Sequence, residues 1–126
     1  MAITRIILWL GNTFVICAIL LALTALCAFF MLDSVSAVAM ASTALGTGIL
    51  GVTLIATTFN TPARETNADA LLFLLIFWLI VPLISAVPYL TIGASSDIIS
   101  AYFEAVSAFT TTGASALNPD DLPKTL

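Results

Sequence analysis

Between Ser100 and Ser115 the sequence places one carboxyl, Glu104, among the hydroxyls of Ser100 and Ser107, and follows them with Thr110-Thr111-Thr112-Gly113-Ala114-Ser115. These are oxygen donors: a carboxylate, a row of hydroxyls and the carbonyls of their backbone. Oxygen donors suit the coordination of a hard cation. They do not suit nucleophilic catalysis, because the chain has no histidine and so no such base to activate a serine or threonine. No cluster of ligands with metal-site spacing accompanies them either, so the expectation is a protein that is not an enzyme and holds no organic cofactor. Two other motifs carry less. Cys17 and Cys27 lie ten residues apart in one apolar run, about 15 Å along a helix, too far for a disulfide; they read as small buried apolar residues. Gly46-Thr47-Gly48-Ile49-Leu50-Gly51 spells G-x-G-x-x-G, but the nucleotide-binding use of that pattern needs a strand before it and a helix after it.

The elements that must position these groups follow from composition. Of 126 residues 61% are hydrophobic and 8% charged, with three basic and seven acidic side chains. A soluble domain carries about 25% charged residues. Three scattered basic residues also leave no surface for nucleic acid. The composition is that of a membrane protein.

Charge-free runs of 27 residues (Ile6 to Leu32), 29 residues (Ser34 to Pro62) and 27 residues (Ala70 to Ser96) divide the chain. A hydrocarbon core takes about 20 helical residues, so each run holds one span and none holds two. The helices are expected at about Ile6–Met31, Ser36–Phe59 and Ala70–Leu90, the first two joined by a tight hairpin at Asp33. The first run is almost twice the 7–15 residues of a signal-peptide core, which argues against cleavage despite Ala37-Val38-Ala39. Arg5 and Arg64 fall on one side if the spans alternate, and that side is expected to be cytoplasmic. Asp33, Asp97, Asp120 and Asp121 then face outward, with Lys124 the exception. Trp9 and Tyr89 near helix ends fit an aromatic belt; Trp78, near mid-span, is expected to pack or to face lipid.

Within helix two, the pairs Ala44/Gly48 and Thr47/Gly51 are small residues four apart, which let a neighbouring helix approach closely. Pro82 and Pro88 are expected to kink or stop helix three. Gly93-Ala94-Ser95-Ser96-Asp97 then forms a turn with three candidate N-caps. A helical pattern runs from Ile98 to Phe109, 12 residues or about 18 Å, half a bilayer. An acid at membrane depth costs about 2.5–3.5 kcal/mol, so a short helix bearing Glu104 must sit inside protein or beside water. Three threonines and a glycine propagate a helix poorly and suit extended backbone, which membranes tolerate only when covered. The expectation is a re-entrant loop: a half-helix descends, and an extended segment climbs back to Asn118-Pro119-Asp120-Asp121. The half-helix would point its partly negative C-terminus at the membrane centre, and aligned carbonyls could replace a cation's hydration shell. On residue types alone an ordinary Thr-rich loop after an interfacial helix stands beside this reading. Glu104 is either an ion ligand or, the favoured reading, a brace for the short helix.

Ala101-Tyr102-Phe103-Glu104-Ala105-Val106-Ser107-Ala108-Phe109-Thr110-Thr111-Thr112-Gly113-Ala114 resembles the first pore loop of the Trk/Ktr/HKT potassium-transporter superfamily, in its bacterial TrkH/TrkG form. Pro82, Ala86-Val87-Pro88-Tyr89 and Leu122-Pro123-Lys124 resemble the flanks of that loop, and the helices before Arg64 resemble an additional N-terminal pair. The resemblance implies an all-α membrane protein: three transmembrane helices plus a re-entrant pore helix and filter loop. Residues 1–62 would be the N-terminal helix pair, and residues 63–126 the first helix, pore helix and filter of an incomplete first repeat. It implies potassium uptake across the inner cell membrane through a path of four such repeats, the ion lying against Thr110, Thr111, Thr112, Gly113 and Ala114, with Glu104 supporting the pore helix. Implied partners are lipid, a second copy of the full-length protein in a homodimer, and a cytoplasmic, TrkA-like nucleotide-binding regulatory subunit. Ala108 departs from a common glycine at the base of the filter. The sequence stops at Leu126, before the repeat's closing helix, so these residues read as an N-terminal fragment or truncated product expected not to conduct alone. The competing expectation is a small non-transporting membrane subunit for assembly or regulation.

Overall fold

Apolar runs this long have one way to satisfy their backbone without water, the helix, and helices are what form. The computed structural model describes residues 3–58, 66–95 and 97–115. Among them are four helices and no strand: α1 (Ile3–Phe30), α2 (Ser34–Thr58), α3 (Asn67–Thr91) and α4 (Ile98–Phe109). The first three have 28, 25 and 25 residues and are long and apolar enough to cross a membrane. Their outward faces are hydrocarbon, with Ile16, Leu20, Leu23, Leu71 and Leu75 all exposed. This is the surface of a multi-pass membrane protein. Each long helix begins two or three residues earlier than expected. Phe59, Arg64, Ser96 and everything after Ser115, including Asp120, Asp121 and Lys124, lie outside the described residues, as does the 62/63 boundary.

The α1–α2 hairpin closes in three residues. Leu32 takes the left-handed conformation, φ 61°. Its N–H donates to the Phe29 carbonyl, and the Asp33 N–H donates to that of Ala28, both at 3.1 Å. That pairing ends a helix without orphaned carbonyls. Asp33 then caps α2, its Oδ1 accepting the Ser36 N–H at 3.2 Å, as a short acidic side chain does at an N-terminus.

Along the hairpin the two backbones touch. A Cβ on Gly51 would stand 2.9 Å from the Gly11 carbonyl oxygen and from the Val15 nitrogen; one on Gly11 would stand 3.0 Å from the Gly51 oxygen. Gly48 is a looser contact, facing the Ala18 methyl at 3.4 Å. Buried Thr43 and Thr47 give their hydroxyl protons to the carbonyls of Ala39 and Thr43, one turn back. All of Gly46–Gly51 is helical, so its G-x-G-x-x-G lacks the strand and turn a nucleotide site needs. Cys17 and Cys27 are both free thiols. Cys27 is exposed rather than buried, because it lies on the outward face of α1.

Helix α3 starts with an internal cap: fully buried Asp69 accepts the Thr66 N–H at 3.2 Å and its hydroxyl at 2.6 Å. Pro82 and Pro88 do not stop the helix, which runs through both to Thr91. A membrane helix tolerates internal proline when neighbours satisfy the carbonyls it disturbs. The carbonyls that lose their donor are those of Trp78 and Ile84, four residues before each proline; one residue beyond Trp78, the Tyr102 hydroxyl of α4 donates to the Leu79 carbonyl at 3.3 Å. Tyr102→Phe should therefore lower the unfolding free energy in detergent by about 0.5–1.5 kcal/mol, read by thermal melting; an unchanged melt would mean that water or lipid serves that carbonyl equally well.

After Gly93, at φ 74°, the chain reverses and α4 runs back along α3. Alanines make the contact close: Ala86, Ala101 and Ala105 are buried, with Tyr89, Leu90 and Tyr102 around them. The far end of α4 is set by aromatic rings. Phe109 meets Phe77 at 5.9 Å and Trp78 at 5.2 Å, the latter edge-on. Phe77 also contacts Phe73, which packs on Trp9 of α1. Trp78 thus packs, while staying half exposed. Phe77 and Trp78 are the eleventh and twelfth of the 25 residues of α3, so α4 ends level with the middle of α3.

Candidate functional site

The residues singled out at the end of α4 come together as one small unit. The helix stops at Phe109, and Thr110 is its C-cap at φ −88°, ψ 4°. Thr111 is left-handed at φ 55°, and Gly113 at φ 72°. The Thr111 N–H donates to the Ala108 carbonyl at 3.2 Å and the Thr112 N–H to the Ser107 carbonyl at 2.9 Å. This is the same helix ending as at Leu32, with threonine in the left-handed position. The threonines are accordingly not one extended strand: Thr110 and Thr111 complete the helix end, because its last carbonyls need donors and the next two N–H groups supply them. Left-handed backbone is unusual for a β-branched residue, which is why residue type pointed elsewhere.

Beyond Thr112 the chain folds back along α4, held by two side chains one turn apart. Ser107 Oγ donates to the Ala114 carbonyl at 2.6 Å. The Ser115 hydroxyl donates to Oε1 of Glu104. Glu104 and Ser107 are both buried, whereas Thr110 to Ser115 are exposed. Ser107 grips the segment twice, through its carbonyl at Thr112 and its hydroxyl at Ala114. Thr110 Oγ1 donates to the Val106 carbonyl at 2.8 Å and lies 2.7 Å from Thr112 Oγ1; the Thr111 hydroxyl donates to the Thr110 carbonyl at 2.7 Å. At the start of α4, Asp97 is the N-cap without a side-chain cap bond. Ser95 holds the turn instead, accepting the Asp97 N–H and donating to its carbonyl.

The hairpin therefore presents a row of hydroxyls and carbonyls beside a helix C-terminus, with the one carboxylate turned inward to bind a serine. Thr110, Thr111, Thr112, Gly113 and Ala114 all lie in it, and Glu104 lies behind it. Ser107 was legible only as a polar interruption of a helical pattern, Tyr102 only as one of its apolar residues, and Ser115 only as the end of the Thr-rich segment. A cavity of about 380 Å³ opens on the other side of Phe109, among Cys17, Leu20, Phe77, Val81 and Ser85. It is lined with hydrocarbon, and its Ser85 hydroxyl is engaged by the Val81 carbonyl, so it offers little to an ion. Among the described residues no group of three or more acidic, cysteine or histidine side chains is placed to hold a metal. No protein-family model, curated protein or solved structure matches the chain.

Proposed function

We propose that the α4 hairpin is a re-entrant pore loop and that this chain contributes one filter segment to a potassium-uptake path of the Trk/Ktr/HKT type in the cell membrane, with the N-terminus cytoplasmic. The observation that carries the reading is the level at which α4 ends. If α3 spans the bilayer, the Phe109 contact with Phe77 and Trp78 puts the C-terminus of α4 near mid-membrane, followed by exposed Thr110 to Ala114 oxygens. A helix C-terminus favours a cation, and fixed carbonyls and hydroxyls can take the place of its water. Glu104, engaged with Ser115, acts as a brace for the filter rather than as a ligand. One such segment cannot surround an ion, so the reading requires three more loops. A homodimer, a TrkA-like cytoplasmic regulatory subunit and potassium as the transported ion belong to the same proposal.

The test is uptake in cells lacking every other potassium transporter, with the full reading frame expressed from its native locus. Uptake selective for potassium over sodium is expected. Gly113→Ser should weaken that selectivity, because Gly113 is left-handed and a side chain there strains the segment. Equal potassium/sodium ratios in parent and variant would overturn the reading. Absence of any uptake, with the chain bound instead to a larger membrane protein, would favour a non-transporting assembly subunit.

A further inference from the structure

The end of α4 contains two places for the left-handed residue that terminates a helix, and the present structure uses the worse one. Thr111 stands at the C′ position, while glycine, the residue that takes this conformation without penalty, stands two residues later at Gly113. We propose that the hairpin is a two-state register switch, in which α4 lengthens by two residues, about 3 Å, and transfers its left-handed cap from Thr111 to Gly113.

The backbone bookkeeping closes in both registers. In the one observed, the Ser107 and Ala108 carbonyls accept from Thr112 and Thr111. In the longer helix the same carbonyls accept from Thr111 and Thr112 by ordinary one-turn bonds, and Thr110 and Phe109 take over as acceptors for Gly113 and Ala114. Thr110 is already half inside the helix: its N–H and its hydroxyl both reach the Val106 carbonyl, at 2.8 Å each. A Cβ on Gly113 would meet nothing within 4 Å, so no packing holds that residue where it is.

Two opposing effects set the balance. Left-handed backbone at a residue with a Cβ disfavours the observed register by a factor of about 5–30. The Ser107–Ala114 and Glu104–Ser115 bonds favour it by a comparable factor, and both must break when α4 extends. Near-cancellation of two such effects is what a two-state element requires. In the longer register the Phe109 and Thr110 carbonyls enter the helix ladder, so the row of exposed oxygens is remodelled. The switch is a property of the hairpin and stands whether or not the loop lies in an ion path.

Carbon-13 chemical shifts of Thr110, Thr111 and Thr112, measured by solid-state NMR on the whole chain in lipid bilayers, read the register directly. Left-handed shifts are expected at Thr111 in the parent, and right-handed helical shifts at Thr111 in Ser107→Ala and in Ser107→Ala/Glu104→Ala, where the clasp is weakened. Thr111→Gly works in the other direction: it removes the strain, and exchange of the Thr112 N–H should slow about 5–30-fold. Left-handed Thr111 in both clasp variants, disordered shifts throughout the loop, or unchanged exchange in Thr111→Gly would each overturn the switch. Because none of these readouts involves transport, failure of the ion-path reading leaves them intact.

Discussion

Gly51→Val should open the α1–α2 hairpin, at a loss of about 2–3 kcal/mol. The new Cβ would meet the Gly11 carbonyl oxygen and the Val15 nitrogen, both at 2.9 Å. Those are backbone atoms, so no side-chain rotation relieves the overlap, and the helices must move apart. Overpacking of a tight site costs about 1–3 kcal/mol. Separation also removes the dispersion contacts that, in lipid, take the place of a hydrophobic driving force between helices. Gly46→Ala is the matched control: a Cβ there meets nothing within 4 Å, and alanine improves a helix interior by roughly 0.5–1 kcal/mol. Thermal unfolding in detergent, followed by circular dichroism, separates the two. Equal melting of Gly51→Val and Gly46→Ala would show that close approach at Gly11 and Gly51 does not hold the hairpin.

Glu104→Ala should release the segment after Thr112, whereas Glu104→Gln should largely preserve it. The carboxyl is buried and accepts the Ser115 hydroxyl, a bond that contributes about 0.5–1.5 kcal/mol. Alanine removes the acceptor and leaves Ser107 as the remaining side-chain grip on Ala114. Glutamine keeps an amide oxygen in nearly the same place. Amide exchange across residues 110–115 in bilayers should accelerate about 2–10-fold in Glu104→Ala and little in Glu104→Gln. In the uptake assay the same contrast distinguishes a brace from a ligand. A sharp loss of potassium affinity in Glu104→Gln, with exchange unchanged, would make the carboxylate an ion ligand.

The helix ends show where sequence reasoning succeeds and where it stops. The span of α4, Ile98 to Phe109, was readable because its apolar residues recur at helical spacing and a turn rich in capping residues precedes it. Gly51 was readable as a small residue on a membrane helix. Gly11 was not: a lone glycine in an apolar run has meaning only once Gly51 stands opposite it. Pro82 and Pro88 suggested an interruption because proline removes a donor, a local fact. The helix nevertheless runs through both to Thr91, since each proline removes one bond from a 25-residue ladder.

Composition and charge spacing by themselves determined that the chain is helical, that three helices are long enough to cross a bilayer, and that a shorter one bearing a carboxylate follows them. Those are properties of each run's length and periodicity, and no distant residue changes them. Tertiary structure alone decided which glycines touch, how deep α4 reaches along α3, and what Glu104 and Ser107 hold. It also decided that Thr111, against its residue preference, takes the left-handed position. Each of these depends on a partner brought near by folding, and the energy of that contact outweighs the local preference of roughly one kcal/mol that a single residue type expresses.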